Sequence, residues 1–474
     1  MVRGTLMMVG IGLVVLISAV PASGQGDQQG WISLFNGANL DGWKMAEREN
    51  PRTFSVKDGA IVANGPRNHL FYIGPVHFAD FRDFELKVEV RTEPNSNGGI
   101  YFHTQYQDRN WPDRGFEVQV CNDSYRRDAR KTGSLYKMQD INPSPANDRE
   151  WFTMHVIVRG KHVVVNVNDK QVVDWTEPEK ANPPSDMPGR RIDSGAFALQ
   201  GHDPGSTVYY KNIRVNPLFP IADYHVHLKG GLTIDDAVKF ADEHAIGIGV
   251  AENCGIGMPV TDDAGLQRFL DKLEGKPAIM LAGKPVYRAM QAEGREWVKM
   301  FSPEVIAKFD YVFTDSMTWT NDQGKRMRLW IPAEVEVGDK QAFMDMLVAR
   351  TVGILNDEPI DIYVNPTFLP AEIAGEYDTL WTDARMDRVI DAAVKNGVAI
   401  EINARYKIPS EKFLRKAKAA GAKFAFGTNN GDKDLGDLAY SRLMAKRLAL
   451  TADDLFTPKP AGQKPIQRRG LPPR

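Results

Sequence analysis

Three short stretches place chemically capable side chains at alternate positions. Tyr101 and His103 are two residues apart, as are Glu117 and Gln119, and Gln200 and His202. In an extended strand, residues i and i+2 share a face. If the three stretches pair, one sheet face carries a carboxylate, two amides, a phenol and two imidazoles, a surface suited to a sugar. Lys137, after Gly133-Ser134-Leu135-Tyr136, is placed at its rim. Glu117 or His202 has the chemistry of a general base. Lys137 or Gln200 could hold a developing oxyanion. A polar sheet face often does no more than meet solvent. Glu85, Lys87 and Glu89 are read that way, whereas amides and a histidine are less usual solvating choices. A second constellation lies in Asp223-Tyr224-His225-Val226-His227. His225 and His227 share a strand face and can chelate one ion.

The elements that must position these residues differ between the two halves. From Trp31 to about Pro217 the chain alternates apolar and polar residues, as in Phe84 to Val90, Phe116 to Val120 and Val163 to Val167. Asn168-Asp169-Lys170 reads as a hairpin turn. This pattern predicts an antiparallel β-sandwich over residues 30–217. Beyond Phe219, short apolar strands alternate with amphipathic helices at Ile234 to His244, Asp263 to Leu273, Lys340 to Asn356, Asp383 to Asn396 and Glu411 to Ala420. That alternation predicts an α/β barrel or doubly wound sheet over 218–457. Pro217 and Pro220 bracket the junction. Residues 458–474, rich in proline and basic residues, are expected to be disordered.

Composition removes several function classes. The chain has 474 residues, of which 42% are hydrophobic and 25% charged, which is globular. Lysine and arginine number 59 against 61 acidic residues, a net charge of -2. No positive excess exists to release counterions from a nucleic acid, so no nucleic-acid partner is expected. Residues 1–24 read as a secretory signal, with Arg3, an apolar run from Met7 to Val20 and small residues before the cleavage site. A periplasmic or secreted protein with no membrane span after cleavage is the expectation. The cysteines, Cys121 and Cys254, fall in different halves and are expected to be unpaired.

Five ordered segments of the first half carry a family resemblance: Leu34-Phe35-Asn36-Gly37 with Leu40-Asp41-Gly42-Trp43, Asn95 to Phe102, Phe116 to Val120, Gly195 to His202, and Lys211 to Val215. They resemble the 3-keto-disaccharide hydrolase, or 3-keto-glycoside lyase and hydratase, domain. The resemblance implies a concanavalin-like jelly-roll sandwich and an oxidised glycoside as substrate. A ketone at C3 acidifies the C2 hydrogen, a base removes it, and the anomeric substituent leaves by β-elimination. Glu117, His202 and Lys137 are then the catalytic candidates, with Tyr101, His103, Gln119 and Gln200 binding the sugar.

The second half resembles the PHP (polymerase and histidinol phosphatase) superfamily through Asp223 to His227, Phe309 to Phe313, Ile400 to Asn403 and Phe426 to Asn430. That implies a distorted (β/α)7 barrel with a metal centre. The pattern is eroded. Glu252 stands beside the place of one metal-binding histidine, Asn365-Pro366 replaces a His-Pro, and Asn429 and Gly431 replace an aspartate and a histidine. His225, His227, Glu293 and Asp315 are left as ligands for one divalent ion at most, zinc or manganese by donor type. Glu252, Asn365, Glu401 and Asn429 are expected to line a second site. The leading expectation is an exported enzyme cleaving 3-keto-glycosides on the sandwich. The alternatives are a non-catalytic sugar-binding sandwich attached to a metal-dependent barrel hydrolase, and a scaffold with two degenerate domains.

Overall fold

The computed structural model describes residues 30–472. The secretory signal expected over 1–24 lies outside the described residues. Among them, no helix is long and apolar enough to cross a membrane. Cys121 and Cys254 are buried and free.

The first half folds as two antiparallel sheets. An eight-stranded sheet is formed around Phe84–Thr92, Phe152–Arg159 and Val208–Pro217. The facing five-stranded sheet runs in the order β1 (Trp43–Met45), β2 (Asn68–Tyr72), β5 (Ala196–Gly201), β3 (Asn97–Thr104) and β4 (Phe116–Cys121). Strand Phe84–Thr92 alternates fully buried and half-buried residues along its length, as its sequence pattern requires. Its inward residues Phe84, Leu86, Val88 and Val90 join Ile100, Phe102, Phe116, Val118 and Leu199 of the smaller sheet in one core. Asn168 and Asp169 both take positive φ, at 48° and 63°, and close the hairpin between His162–Val167 and Lys170–Thr176. In contrast, β3, β4 and β5 are buried on both faces. Their outward side is a polar site covered by loops, not a solvated surface.

The second half is a closed parallel barrel of seven strands: β6 (Ala222–His227), β7 (Gly247–Gly255), β8 (Val286–Glu293), β9 (Tyr311–Thr314), β10 (Ile362–Tyr363), β11 (Ala399–Asn403) and β12 (Phe424–Gly427). Helices cover it where the 3.6-residue period was read. Ile234–His244 starts at a capping box between Thr233 and Asp236, and Asp383–Asn396 ends on Gly397 at φ 65°. Two ion pairs tie the halves together, Arg442 with Asp80 at 3.1 Å and Lys446 with Asp193 at 2.9 Å.

The C-terminal segment departs from its expected disorder. Pro465–Arg469 forms a short helix whose Ile466 is buried in the barrel's core. Lys464 donates its ammonium to the carbonyls of Ala307, at 2.9 Å, and Phe309. One apolar side chain and one well-placed cation anchor a stretch whose composition alone reads as unstructured. Ile466→Ala should therefore cost about 2–5 kcal/mol, the usual price of emptying a buried aliphatic site. Urea unfolding measures it, and an unchanged midpoint would mean that the segment contributes nothing.

Candidate active site

The smaller sheet places Tyr101 of β3 directly opposite Glu117 of β4, and Gln200 of β5 opposite His69 of β2. The Glu117 carboxylate is almost fully buried and holds three donors. Tyr101 Oη–H reaches Oε2 at 2.8 Å, Gln200 Nε2 reaches Oε1 at 2.8 Å, and Arg190 Nη2 reaches Oε2 at 3.3 Å. Burial and the Glu117 charge hold the Tyr101 phenol well above its ordinary range, so it stays a donor. Gly99 makes room for this arrangement. A Cβ there would lie 2.7 Å from Glu117 Oε1.

Over this floor opens a cavity of about 570 Å³. Tyr101, Glu117, Gln119, Gln200 and His202 line it, together with Trp111 and Arg190. Two buried acceptors on its floor, Gln119 Oε1 and Gln200 Oε1, have no hydrogen-bond partner. A buried carbonyl oxygen without a partner costs about 1–3 kcal/mol. The Nδ1–H of His202 donates to Asp203 Oδ2 at 2.8 Å. Asp203 is itself fixed by Ser206 Oγ and the Gly205 N–H. In the neutral ring this fixes the tautomer and leaves Nε2 as a proton acceptor.

Two expected members are elsewhere. His103 takes φ 55°, which ends the strand's alternation one residue early and turns the ring inward. There it packs on Phe84, donates to the Arg82 carbonyl at 2.7 Å, and is pushed down to about 4 by burial. Lys137 stays outside the cavity wall, ion-paired with the rim residue Asp186. Conversely, sequence reasoning missed Arg190, Trp111, Asp203 and His69. Arg190 and Trp111 sit in loops without periodicity. Asp203 directly follows His202, a signal that was present in the chain.

His69 is fully buried against Tyr101 and Trp111, with ring centroids 5.5 and 5.4 Å away. Neither ring nitrogen has a partner. Burial, with help from Arg67 and His202, pushes it down to about 3.

At the other end of the chain, the barrel strands deliver polar residues to their C-terminal ends, where such sites are built. A cavity of about 220 Å³ is lined by His227, Gln291, Glu293, Asp315, Asn365 and Asn429, with Lys229, Trp330, Arg405 and Tyr406 also contributing. His225 and Glu401 lie beneath it, joined by an Nδ1–H bond to Oε1 of 2.6 Å. Glu252 stands aside and accepts from the Asn253 N–H. Asn365 donates to Asp315 at 2.8 Å and accepts from Asn403 at 3.0 Å and Asn429 at 2.8 Å. Glu293 accepts from Thr318, Asn253 and Gln291, and burial beside Asp315 pushes it up to about 8.

Of the four ligands expected for a divalent ion, His227, Glu293 and Asp315 line this cavity and His225 lies beneath it. Among the described residues, no group of three or more His, Cys, Asp or Glu side chains is arranged to hold a metal. His225 Nδ1–H is bonded to Glu401, and the carboxyl groups of Glu293 and Asp315 accept from amides, a hydroxyl and a backbone N–H.

The sandwich has relatives among known proteins. Residues 30–216 match the 3-keto-alpha-glucoside-1,2-lyase-like domain. A 3-keto-disaccharide hydrolase of Bacteroides thetaiotaomicron is 26% identical over 233 residues, covering 40% of this chain and 80% of the relative. A solved structure from Parabacteroides distasonis, provisionally described as a glycosyl hydrolase, aligns at 23% identity with a TM-score of 0.34, covering 40% of this chain and 94% of its own. The carbohydrate-binding module CBM66 of Bacillus subtilis aligns at 13% identity with a TM-score of 0.25, covering 37% of this chain and 95% of its own. The domain match and the Bacteroides relative support a carbohydrate-active function for the sandwich.

A pH prediction follows from His69. In the folded protein it stays neutral down to about pH 3, whereas the unfolded chain takes up a proton below the ordinary histidine value of 6.5. Its contribution is present above that pH and is lost as pH falls toward 3, by roughly 1.4 kcal/mol per pH unit. His69→Phe keeps the ring packing and removes the titration. Its stability should fall less steeply than wild type between pH 6 and pH 4, by about one proton. Urea unfolding across that range checks this, and parallel slopes would refute it.

Proposed function

We propose that the sandwich cavity binds a 3-keto-glycoside and cleaves its glycosidic bond by β-elimination, with water adding to the resulting double bond to complete a net hydrolysis. The observation that carries this reading is the pair of orphaned buried amide oxygens, Gln119 Oε1 and Gln200 Oε1, on the floor of a 570 Å³ cavity. Sugar hydroxyls are the donors that would satisfy them. The domain match supports an oxidised glycoside as the substrate class.

Within this reading the roles separate by hydrogen bonding. Glu117 is committed to three donors, so it serves as an anchor that fixes Tyr101, Gln200 and Arg190. His202, oriented by Asp203, takes the C2 proton. The electron pair moves onto the C3 oxygen as an enolate. The Arg190 guanidinium, which lines the same wall, offers a permanent charge to that oxygen. As the enolate collapses, the C1–C2 double bond forms and the C1–O bond to the aglycone breaks. The leaving oxygen then takes up a proton.

His202→Ala should lower the release of aglycone from a 3-keto-glucoside by roughly 10²–10⁴, the contribution of a positioned base. Glu117→Gln should lower it as well, by loosening the donors it holds. Product analysis by chromatography reads both. Full activity in a folded His202→Ala protein would move the base to Glu117. Binding without turnover in the wild type would make the sandwich a sugar-binding module.

A further inference from the structure

The mouth of the barrel is a second cavity, remote in sequence from the sandwich and independent of its chemistry. Its floor is acidic and internally hydrogen-bonded. Asp315 accepts from the Met317 N–H and from Asn365. Glu293 accepts from three side chains, and Glu401 accepts from His225, the Asn365 N–H and Asn403. Its rim is open to anions. Lys229 and Arg405 both line the mouth and both are exposed. Arg405 donates to the Asn429 carbonyl at 3.2 Å and lies 5.2 Å from the centre of the Tyr406 ring. Among the described residues, neither cation reaches a carboxylate at ion-pair distance, although carboxyl groups stand beneath them.

We propose that this mouth binds a sugar acid, a small polyhydroxylated carboxylate whose acid group lies between Lys229 and Arg405. The planar guanidinium of Arg405 matches a carboxylate. Gln291, Asn365, Asn429, Glu293 and Asp315 are hydrogen-bonded to one another or to neighbours, and the lone pairs and N–H groups that remain are partners for hydroxyls. Trp330, 38% exposed, and Tyr406 flank the entrance with apolar ring faces for the carbon side of the ligand. The volume of about 220 Å³ limits the ligand to one monosaccharide, since drug-sized pockets run from about 300 to 1,000 Å³. The floor is preorganised: Asn365 and Asn429 hold positive φ, at 48° and 44°, within their mutual hydrogen bond.

The test is calorimetric titration of the full chain with D-glucuronate, D-gluconate, D-glucose and D-glucose 6-phosphate. Glucuronate or gluconate should bind and glucose should not. Arg405→Ala combined with Lys229→Ala should weaken that binding at least tenfold, with an unchanged melting temperature in the absence of ligand. Arg405→Lys should restore part of it. Glu117→Gln in the sandwich should leave it unaltered. Equal binding of glucose, binding of the phosphate sugar alone, no binding of either acid at millimolar concentration, or loss of binding in Glu117→Gln instead of the double variant would each overturn the proposal.

Discussion

The sandwich site depends on one buried charge. Glu117 lies inside a sheet, 5% exposed, where an unmatched carboxylate would be prohibitively costly. Three donors from three different segments meet it: Tyr101 from the neighbouring strand, Gln200 from the strand beyond, and Arg190 from a loop. Matching that charge fixes the rotamers of the residues that form the cavity floor. It also explains Gly99, because a side chain there would occupy the space of the carboxylate. With their amide N–H groups turned toward protein acceptors, Gln119 and Gln200 are left with their carbonyl oxygens unpaired. Those two unpaired oxygens are thus a by-product of how the buried charge is balanced.

The barrel solves a similar problem with different partners. Several acidic side chains converge at the ends of its strands, and amides take positions where cations would otherwise be needed. Asn365 links Asp315 with Asn403 and Asn429, and the backbone N–H of Asn365 serves Glu401. Carboxamides are weak metal ligands and good hydrogen-bond donors. A site built this way keeps its geometry through hydrogen bonds, whereas a metal centre would keep it through coordination. Polar groups retained at so many strand ends, each with a partner, describe an organised pocket instead of a decayed one.

Much of the architecture was determined by the sequence alone. Period-two alternation located the sandwich strands, and the 3.6-residue period placed five barrel helices within a residue of their observed ends. Side-chain periodicity is local, so a linear reading captures it. It also brought together Glu117, Gln119, Gln200 and Tyr101, which sit on strands where i and i+2 share a face, and His202, one residue past the end of its strand. Where the backbone departs from regularity, the reading failed. The positive φ at His103 sends that ring into the core. The anchoring of Ile466 and Lys464 depends on residues more than a hundred positions away. Arg190 and His69 enter the site only through loop placement and strand order, neither of which has a periodic signature. The tertiary structure alone decided which lone pairs were spent. Whether a histidine or carboxylate can hold an ion, accept a proton or meet a ligand depends on its other partners. Those partners come together only when distant segments fold, as when Glu401 meets the His225 ring in the barrel.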